Sequence, residues 1–419
     1  MLKPEWHIKL YSYLLPATIV SLPFHMHVNV ACIALLTVNW LLECQFAEKW
    51  KEVKQDKFFW LSIAFYSWYI IQLALTNHPE IGRFELEQKA ALLCLPLIIL
   101  SRKKIVNALR PLFFNAFVIS ITGALLVCMS LSTFEYLQAG DVKVFIYHAL
   151  ANQIGMSAIY LSMLCIAAAL YIQVNIQKQF ALHKNLYGLV LIVLSVGVVL
   201  LASKTQIIVY ALLSLGVLVY RLRKRKMLLL FSMGSIMAVI FILLMTDNPV
   251  RKRYSDIQVL SSPTIYQKEF SPDMYFDGVA IRVVLARFGF EILEEKQAYL
   301  LGVSPGDNRP LLNDKIKAHH LYTGNGGSND HGYLNYNYHN QYMEVLMACG
   351  IVGLLLLMAL LGYLGYMGLV HRQSAILLFI LLYAACFITE SVLEREVGIV
   401  SFSLFFSVLL TSVKPNRKY

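Results

Sequence analysis

A polar run gives way to a long apolar run at Asn337-Tyr-His-Asn-Gln-Tyr-Met-Glu-Val-Leu-Met-Ala-Cys-Gly-Ile-Val-Gly-Leu-Leu355. The apolar part continues to Val370 and contains no charged residue after Glu344. It is therefore long enough for a helix that crosses a bilayer, which needs roughly 17–25 residues. Because the His-Asn-Gln cluster stands directly before this helix, the sequence predicts a polar cluster at a membrane–water interface.

Similar apolar runs recur along the whole chain. Hydrophobic residues make up 58% of the 419 residues and charged residues only 15%, whereas soluble domains have roughly 25% charged residues. The runs lie at 8–24, 27–44, 58–76, 90–101, 112–131, 154–175, 186–203, 206–220, 227–246, 342–370, 374–390 and 397–413. They predict an all-α polytopic membrane protein with about twelve transmembrane helices.

The distribution of Lys and Arg predicts the orientation of these helices. With both termini in the cytoplasm, about 21 of the 36 Lys and Arg residues fall on cytoplasmic loops and ends, which agrees with the positive-inside rule. The formal net charge of +11 then reflects cytoplasmic loops beside anionic lipid head groups. Membrane lipids are therefore expected partners, and no nucleic acid is.

One long polar segment divides the chain into three parts. An N-terminal membrane domain of about nine helices covers 1–246, a loop domain on the outer side covers 247–340, and a C-terminal membrane domain of about three helices covers 341–419. The loop domain is short and polar, so little core of its own is expected. Apolar spacing inside it predicts an amphipathic helix over 279–295.

Arg282 lies on that amphipathic helix. Arg282, Ala286 and Gly289 follow an i, i+4, i+7 row, so the guanidinium shares a helix face with small residues that leave room for a ligand. The alternative interpretation is a solvated surface arginine. The neighbouring Arg287 belongs to a different face.

His339 and Asn340 stand at the start of the long apolar helix. A helix start favours anions, and a neutral imidazole there can accept a proton or bind a substrate hydroxyl. Asn340, in the same cluster, is a further candidate for substrate binding. The alternative interpretation is structural: the tyrosines around His339 form an interfacial aromatic belt and His339 only caps the helix.

Two further cations are candidates for substrate binding. Lys204 lies between two nearly uncharged apolar runs, at their outer end. A charge at that depth is costly, so Lys204 either has a function or extends its side chain to the lipid head groups. Arg253 belongs to the basic run Arg251-Lys252-Arg253 after the ninth apolar run, and the simpler interpretation of that run is a solvated anchor.

The sequence does not predict a metal or a cofactor. The seven cysteines lie within or at the ends of apolar runs, which argues against a disulfide framework or a zinc site. Walker, Rossmann, HExxH and Gly-x-Ser-x-Gly patterns are absent from the sequence, and the outer loop has no Asp-x-Asp pair.

Several motifs resemble the O-antigen ligase and O-antigen polymerase family of bacterial membrane glycosyltransferases, including members from the Bacteroidetes group. The motifs are Ala-Ile-Arg282, Leu301-Gly-Val-x-x-Gly-Asp307, and His339-Asn-Gln-Tyr-x-Glu344 followed by Gly350-Ile-Val-Gly353. Weaker similarity covers Ser21-Leu-Pro-Phe24 and Thr389-Glu-Ser-Val-Leu-Glu-Arg395.

This resemblance implies a GT-C-like fold in the bacterial inner membrane with a periplasmic loop domain. It implies metal-independent transfer of a glycan from undecaprenyl diphosphate to an acceptor hydroxyl. By the same resemblance, Arg282 holds the diphosphate, and His339 orients or deprotonates the acceptor or contacts the same phosphates. Lys204 stands where the family commonly has Arg, which keeps the charge but loses bidentate geometry.

The acceptor is left open by the sequence. Lipid A-core would make the protein an O-antigen ligase, a growing polysaccharide would make it a polymerase, and a protein hydroxyl would make it an O-oligosaccharyltransferase. Two alternatives of other classes are a flippase or transporter for lipid-linked glycans and a non-catalytic scaffold. A transporter is expected to carry ionisable groups at mid-membrane, whereas the candidate charges here gather at the outer interface.

Overall fold

The computed structural model describes residues 3–179, 184–201, 203–225, 227, 265–272, 274, 276–324 and 330–413. Every regular element in these ranges is helical. The α-helices are α1 Pro4–Val20, α2 Met26–Leu42, α3 Phe46–Val53, α4 Lys57–Leu73, α5 Pro79–Lys89, α6 Ala91–Leu100, α7 Lys103–Ala139, α8 His148–Asn152, α9 Ala158–Gln179, α10 Lys184–Leu200, α11 Lys204–Leu222, α12 Gly278–Glu295, α13 Pro305–Ala318, α14 Gln341–Val370, α15 Ser374–Thr389 and α16 Glu396–Leu410.

Four helices of the described chain are long and apolar enough to cross a membrane: Lys103–Ala139, Ala158–Asn175, Lys204–Leu222 and Gln341–Val370. The pair α2 and α3 makes a fifth if it is one span, bent by 115°. Asn185–Leu200, Ser374–Thr389 and Glu396–Leu410 are shorter apolar helices. The all-helical membrane fold is therefore confirmed, whereas the number of about twelve spans stays a prediction. Of the predicted span 227–246, all but Met227 lies outside the described residues.

Aromatic side chains fill the centre of the helical bundle. Phe114 on α7, Phe379 on α15 and Phe405 on α16 are fully buried. The ring centroids of Phe379 and Phe405 lie 5.1 Å apart, and both rings pack within 6.2 Å of Phe114. Such edge and offset contacts add to the free energy of apolar burial. This core joins helices from both sides of α12 and α13 in the chain, because α7 precedes them and α15 and α16 follow them.

Helices α12 and α13 form a smaller layer with its own buried core at one end of the bundle. Val284, Phe288 and Leu293 of α12 pack with Leu312 of α13, and Met347 of α14 lies in the same cluster. This is more core than the sequence predicted, because α14 contributes side chains to it. The layer is thereby joined to a helix that is long enough to cross the membrane.

The layer is also fixed by a break in α14. Gly350 has φ 65° and ψ −168°, and the chain at Gly302 passes so close that a Cβ on either glycine would overlap the other's backbone. The Ile351 and Val352 N–H groups donate to the Tyr299 and Leu300 carbonyls. The segment after α12 therefore replaces part of the helix's own hydrogen bonding.

Asp307, in the first turn of α13, holds this layer to the segment before α5. Its carboxylate accepts hydrogen bonds from Thr76 Oγ1 at 3.1 Å, the Asn77 N–H at 3.0 Å and His78 Nδ1 at 2.8 Å. Burial acts to raise the pKa of Asp307, but these hydrogen bonds outweigh it and lower the pKa below its usual value. The Leu301–Asp307 motif is thus an attachment point in the described structure.

Candidate functional site

A cavity of about 1010 Å³ lies where α12, α15 and α16 meet the segments around α2 and α8. Its volume is at the upper end of the ~300–1,000 Å³ of small-molecule sites. Charged and polar side chains from five separate parts of the chain line it: His25, His27, Asn29, His148, Arg282, Asn337, His339, Glu390, Arg395 and Glu396. The sequence placed only Arg282 and His339 of this set among the site residues.

Arg282 is held in the cavity wall by three contacts. The Asp277 carboxylate caps α12 by accepting from the Val279 and Ala280 N–H groups, which fixes the turn that precedes Arg282. Nη2 of Arg282 lies 2.7 Å from Glu390 Oε1, and Nε lies 3.0 Å from the Thr389 carbonyl. Nη1 donates to the Gly278 carbonyl in the same helix. The guanidinium is thus placed firmly and its charge is balanced by one carboxylate.

The small-residue face around Arg282 is only partly open. Gly289 is filled by its neighbours, because a Cβ there would overlap Met343 and touch Tyr338. The row of Arg282, Ala286 and Gly289 predicts room for a ligand. At Gly289 that space is filled by Met343 of α14. Arg287 does face elsewhere, since it pairs with Glu291 at 2.6 Å.

His339 lies beside the same carboxylate as Arg282. Its Nδ1 is 3.3 Å from Glu390 Oε2, and its ring meets the Tyr336 ring edge to face at 5.6 Å. The backbone of His339 is in the left-handed region, with φ 46°, and its N–H donates to the Asn337 side chain. This local turn sets the imidazole at the cavity just before α14 begins.

Glu390 is the residue that sequence reasoning missed. One carboxylate oxygen contacts Arg282 and the other contacts His339, so Glu390 joins two residues that are far apart in the chain. Its side chain is only 8% exposed. The signal in the sequence is an acidic residue at the end of an apolar run, inside the Thr389–Arg395 stretch that resembles the family. That signal marks a position but does not reveal its partners.

A second set of contacts fixes the short segment that carries Glu390. The Ser391 hydroxyl donates to Glu344 at 3.3 Å, and the Leu393 N–H donates to Gln341 Oε1 at 2.5 Å. Lys89, which is 1% exposed, pairs with Glu394 at 2.5 Å. Side chains from α5 and α14 therefore hold this segment from behind while Glu390 lines the cavity.

The other predicted binding residues have different positions. Asn340 caps α14, because its side-chain oxygen accepts from the Met343 N–H at 3.0 Å and its amide donates to the Ile388 carbonyl. It does not belong to the cavity lining seen in the described chain. Lys204 is the first residue of α11 and is also absent from that lining. Arg253 lies outside the described residues.

The cavity wall opposite this cluster contains histidines that were not predicted. His25 caps α2, with its Nδ1 accepting the His27 N–H, and the two rings lie 4.9 Å apart. His148 lines the cavity on α8. Within the described ranges, no group of three His, Cys, Asp or Glu side chains is arranged to hold a metal ion. The absence of a cofactor therefore stays a prediction.

The helices and the cavity define a membrane protein with a polar site at the end of its bundle where α12 and α13 lie. Residues 189–358 match the family model described as O-Antigen ligase, and this range includes Lys204, Arg282, His339 and Asn340. The match confirms the resemblance to this family over those residues, which make up fewer than half of the chain. This family indicates a membrane glycosyltransferase of the ligase or polymerase type. No curated protein matches the chain.

Proposed function

We propose that the protein transfers a glycan from undecaprenyl diphosphate to an acceptor hydroxyl in the periplasm, without a metal ion. We propose further that the acceptor is lipid A-core, so that the protein acts as an O-antigen ligase of the inner membrane. The observation that supports this most is that Arg282, Glu390 and His339 meet in one cavity. The family match supports the reaction class.

The reaction needs stabilisation of a leaving group more than it needs a strong base. The acceptor oxygen forms a bond to the anomeric carbon while the bond from that carbon to the diphosphate oxygen breaks, and the electron pair leaves with the diphosphate. A permanently charged guanidinium stabilises that developing charge, and those of its N–H groups that are not already engaged can donate to phosphate oxygens. Arg282 supplies this group at the cavity wall.

His339 supplies the proton acceptor. When its proton is on Nδ1, the ring donates to Glu390 Oε2, and Nε2 keeps a lone pair for the hydroxyl proton of the acceptor. Glu390 then orients the imidazole and stabilises the imidazolium that forms, as a carboxylate does beside a catalytic histidine. The same carboxylate keeps Arg282 in place before the donor binds.

The test is glycan transfer by purified protein in nanodiscs, with undecaprenyl diphosphate-linked glycan, lipid A-core and EDTA present. We expect Arg282→Ala and His339→Ala each to lower the transfer rate by about 100- to 1000-fold. Arg83→Ala is the matched control, because Arg83 is exposed on α5 and outside the cavity lining. Thermal melting and size-exclusion chromatography check the folding of all variants.

Each alternative has its own outcome in this assay. Elongation of the carrier-linked glycan without transfer to lipid A-core would replace the ligase by a polymerase, and transfer to a protein hydroxyl would indicate an O-oligosaccharyltransferase. Movement of the carrier across the bilayer without any transfer would show a flippase and would overturn the proposal. Loss of wild-type transfer in EDTA would refute metal independence.

A further inference from the structure

Arg282 has few N–H groups free to donate hydrogen bonds to a ligand. Its Nε, Nη1 and Nη2 atoms each already contact an oxygen, and the Glu390 carboxylate balances its charge at 2.7 Å. A diphosphate carries more negative charge than one compensated guanidinium can neutralise. If the proposed donor is correct, the cavity needs another cation.

Arg395 is the other guanidinium in the cavity lining. It follows directly after the 3₁₀ turn Val392–Glu394 and precedes α16. Its side chain is exposed, and no carboxylate of the described chain lies within ion-pair distance of it. In contrast to Arg282, it therefore presents an uncompensated charge and an unoccupied fork of N–H donors.

The backbone that carries Arg395 is nevertheless fixed. The two preceding residues are anchored, since Leu393 donates to Gln341 and Glu394 pairs with the buried Lys89. Tyr160 on α9 supports the same turn through its hydroxyl, which lies 3.4 Å from the Ser391 carbonyl. Because this backbone is already fixed, a ligand that binds Arg395 has to order only the side chain and not the turn, which keeps the loss of conformational entropy small.

We infer that Arg395 binds phosphate in this cavity, and that the diphosphate head group of a polyprenyl donor lies between Arg395 and Arg282. The identity of that donor depends on the proposed function, whereas the phosphate chemistry rests on the unpaired guanidinium alone. The peptide dipoles at the start of α16, directly after Arg395, act in the same direction.

Glu396 gives the inference a test in the opposite direction. It lines the same cavity, and its Oε1 is removed from solvent without a hydrogen-bond partner among the described residues. Burial raises the pKa of Glu396 to about 7, so at pH 8 its carboxylate is ionised next to Arg395 and opposes the binding of an anion. Removing that charge should therefore strengthen phosphate binding at pH 8, whereas removing Arg395 should weaken it. A purely structural role of this turn would not produce opposite effects.

The experiment measures binding of undecaprenyl diphosphate to the full chain in nanodiscs, with undecaprenol as the ligand that lacks phosphate. We expect Arg395→Gln to weaken diphosphate binding by about 10- to 100-fold, the range for a hydrogen bond to a charged group. Arg395→Lys should recover part of the affinity, and Glu396→Gln should bind about 2- to 5-fold more tightly. Arg83→Gln, the matched control, should bind like wild type, and all variants should bind undecaprenol equally.

Three results would overturn the inference. Unchanged diphosphate affinity in Arg395→Gln is the first. Equal loss of undecaprenol binding is the second, because it would indicate a structural defect. Weaker binding of phosphorylated lipid A-core with unchanged binding of undecaprenyl diphosphate is the third, because the phosphate would then belong to the acceptor. Competition by inorganic diphosphate in the wild type tests the same point without a variant. If the wild type binds diphosphate through Arg395 but transfers no glycan, the proposed function fails and this inference stands.

Discussion

Two charge clusters lie on either side of the segment from Thr389 to Glu396, and they differ mainly in burial. The sealed cluster contains Lys89, Glu85 and Glu394, and its cation is 1% exposed. The open cluster contains Arg282, His339 and Glu390, and its cation and imidazole have side chains that are 29% and 28% exposed. A cation paired with a glutamate thus occurs once inside the protein and once at a cavity.

This difference in burial indicates a structural role for the sealed cluster and a role in activity for the open cluster. A buried ion pair is strongly destabilising to break, because the remaining charge has lost its hydration. A pair at a cavity remains accessible to a ligand that brings its own charge. In this protein the sealed cluster fixes the segment from Thr389 to Glu396 through the Lys89–Glu394 pair. The same segment places Glu390 beside Arg282 in the open cluster. Changes in the first should affect folding, and changes in the second should affect activity.

The strongest test of this division is Lys89→Met. We expect destabilisation by about 3–5 kcal/mol, because Glu394 and Glu85 would stay buried without their cation. The measurement is the thermal melting temperature in detergent. The double variant Lys89→Met with Glu394→Gln should melt closer to wild type, since it removes a stranded charge. A single variant that melts like wild type would show that the sealed cluster contributes little to stability.

Glu390→Gln tests the open cluster, and we expect a different pattern. Glu390 orients His339 but competes with a phosphate for Arg282, so its removal should lower kcat by about 100-fold and also lower the KM for the donor. The melting temperature should stay close to that of wild type. The readout is steady-state transfer kinetics at several donor concentrations. A rise in KM with unchanged kcat would mean that Glu390 only positions Arg282.

Asp307→Asn tests the attachment of the α12–α13 layer through pH. Because the folded state lowers the pKa of Asp307, its contribution to stability is present above the unfolded pKa of about 3.9 and is lost as pH falls through the lower folded pKa. We expect the variant to be about 1–3 kcal/mol less stable at pH 7. Melting curves from pH 7 downwards should converge below pH 4. Curves that stay apart at low pH would contradict the role of the ionised carboxylate.

Asn340→Ala separates capping from substrate binding, with the smallest expected effect. Loss of the cap on α14 should lower stability by about 1 kcal/mol, and activity per folded molecule should change little. Melting temperature and transfer rate, measured on the same preparation, check this. A large loss of transfer at unchanged stability would instead support the sequence prediction that Asn340 binds substrate.

Periodicity and residue type predicted much of the local structure. The apolar spacing predicts a helix over 279–295, and the structure has one at Gly278–Glu295. The start of α13 was missed, although Ser304 accepts from the Asp307 N–H and Pro305 stands at the first helical position. That pattern is a recognisable N-terminal signal, so the start of α13 could have been predicted from the sequence.

The long-range part of the site could not be predicted in the same way. Arg282 and His339 were found because each has a distinctive local setting and because both match the family motifs. The Glu390 carboxylate between them depends on how α15 packs against α12 and α14, which no local pattern encodes. Conversely, Asn340 was predicted to bind substrate because it belongs to the most distinctive motif, whereas in the structure its side chain caps α14.

The break at Gly350 links membrane insertion to tertiary folding. A helix in a bilayer normally satisfies its own backbone groups, and unsatisfied groups there are costly. In α14 the Ile351 N–H finds its acceptor in the segment after α12, so this helix completes its hydrogen bonding only when that segment has arrived. We therefore expect a late step in biogenesis in which α14 is already inserted and the segment after α12 then packs against it. Substitution of Gly302 or Gly350 by alanine should block this step and make the protein more susceptible to quality-control proteases.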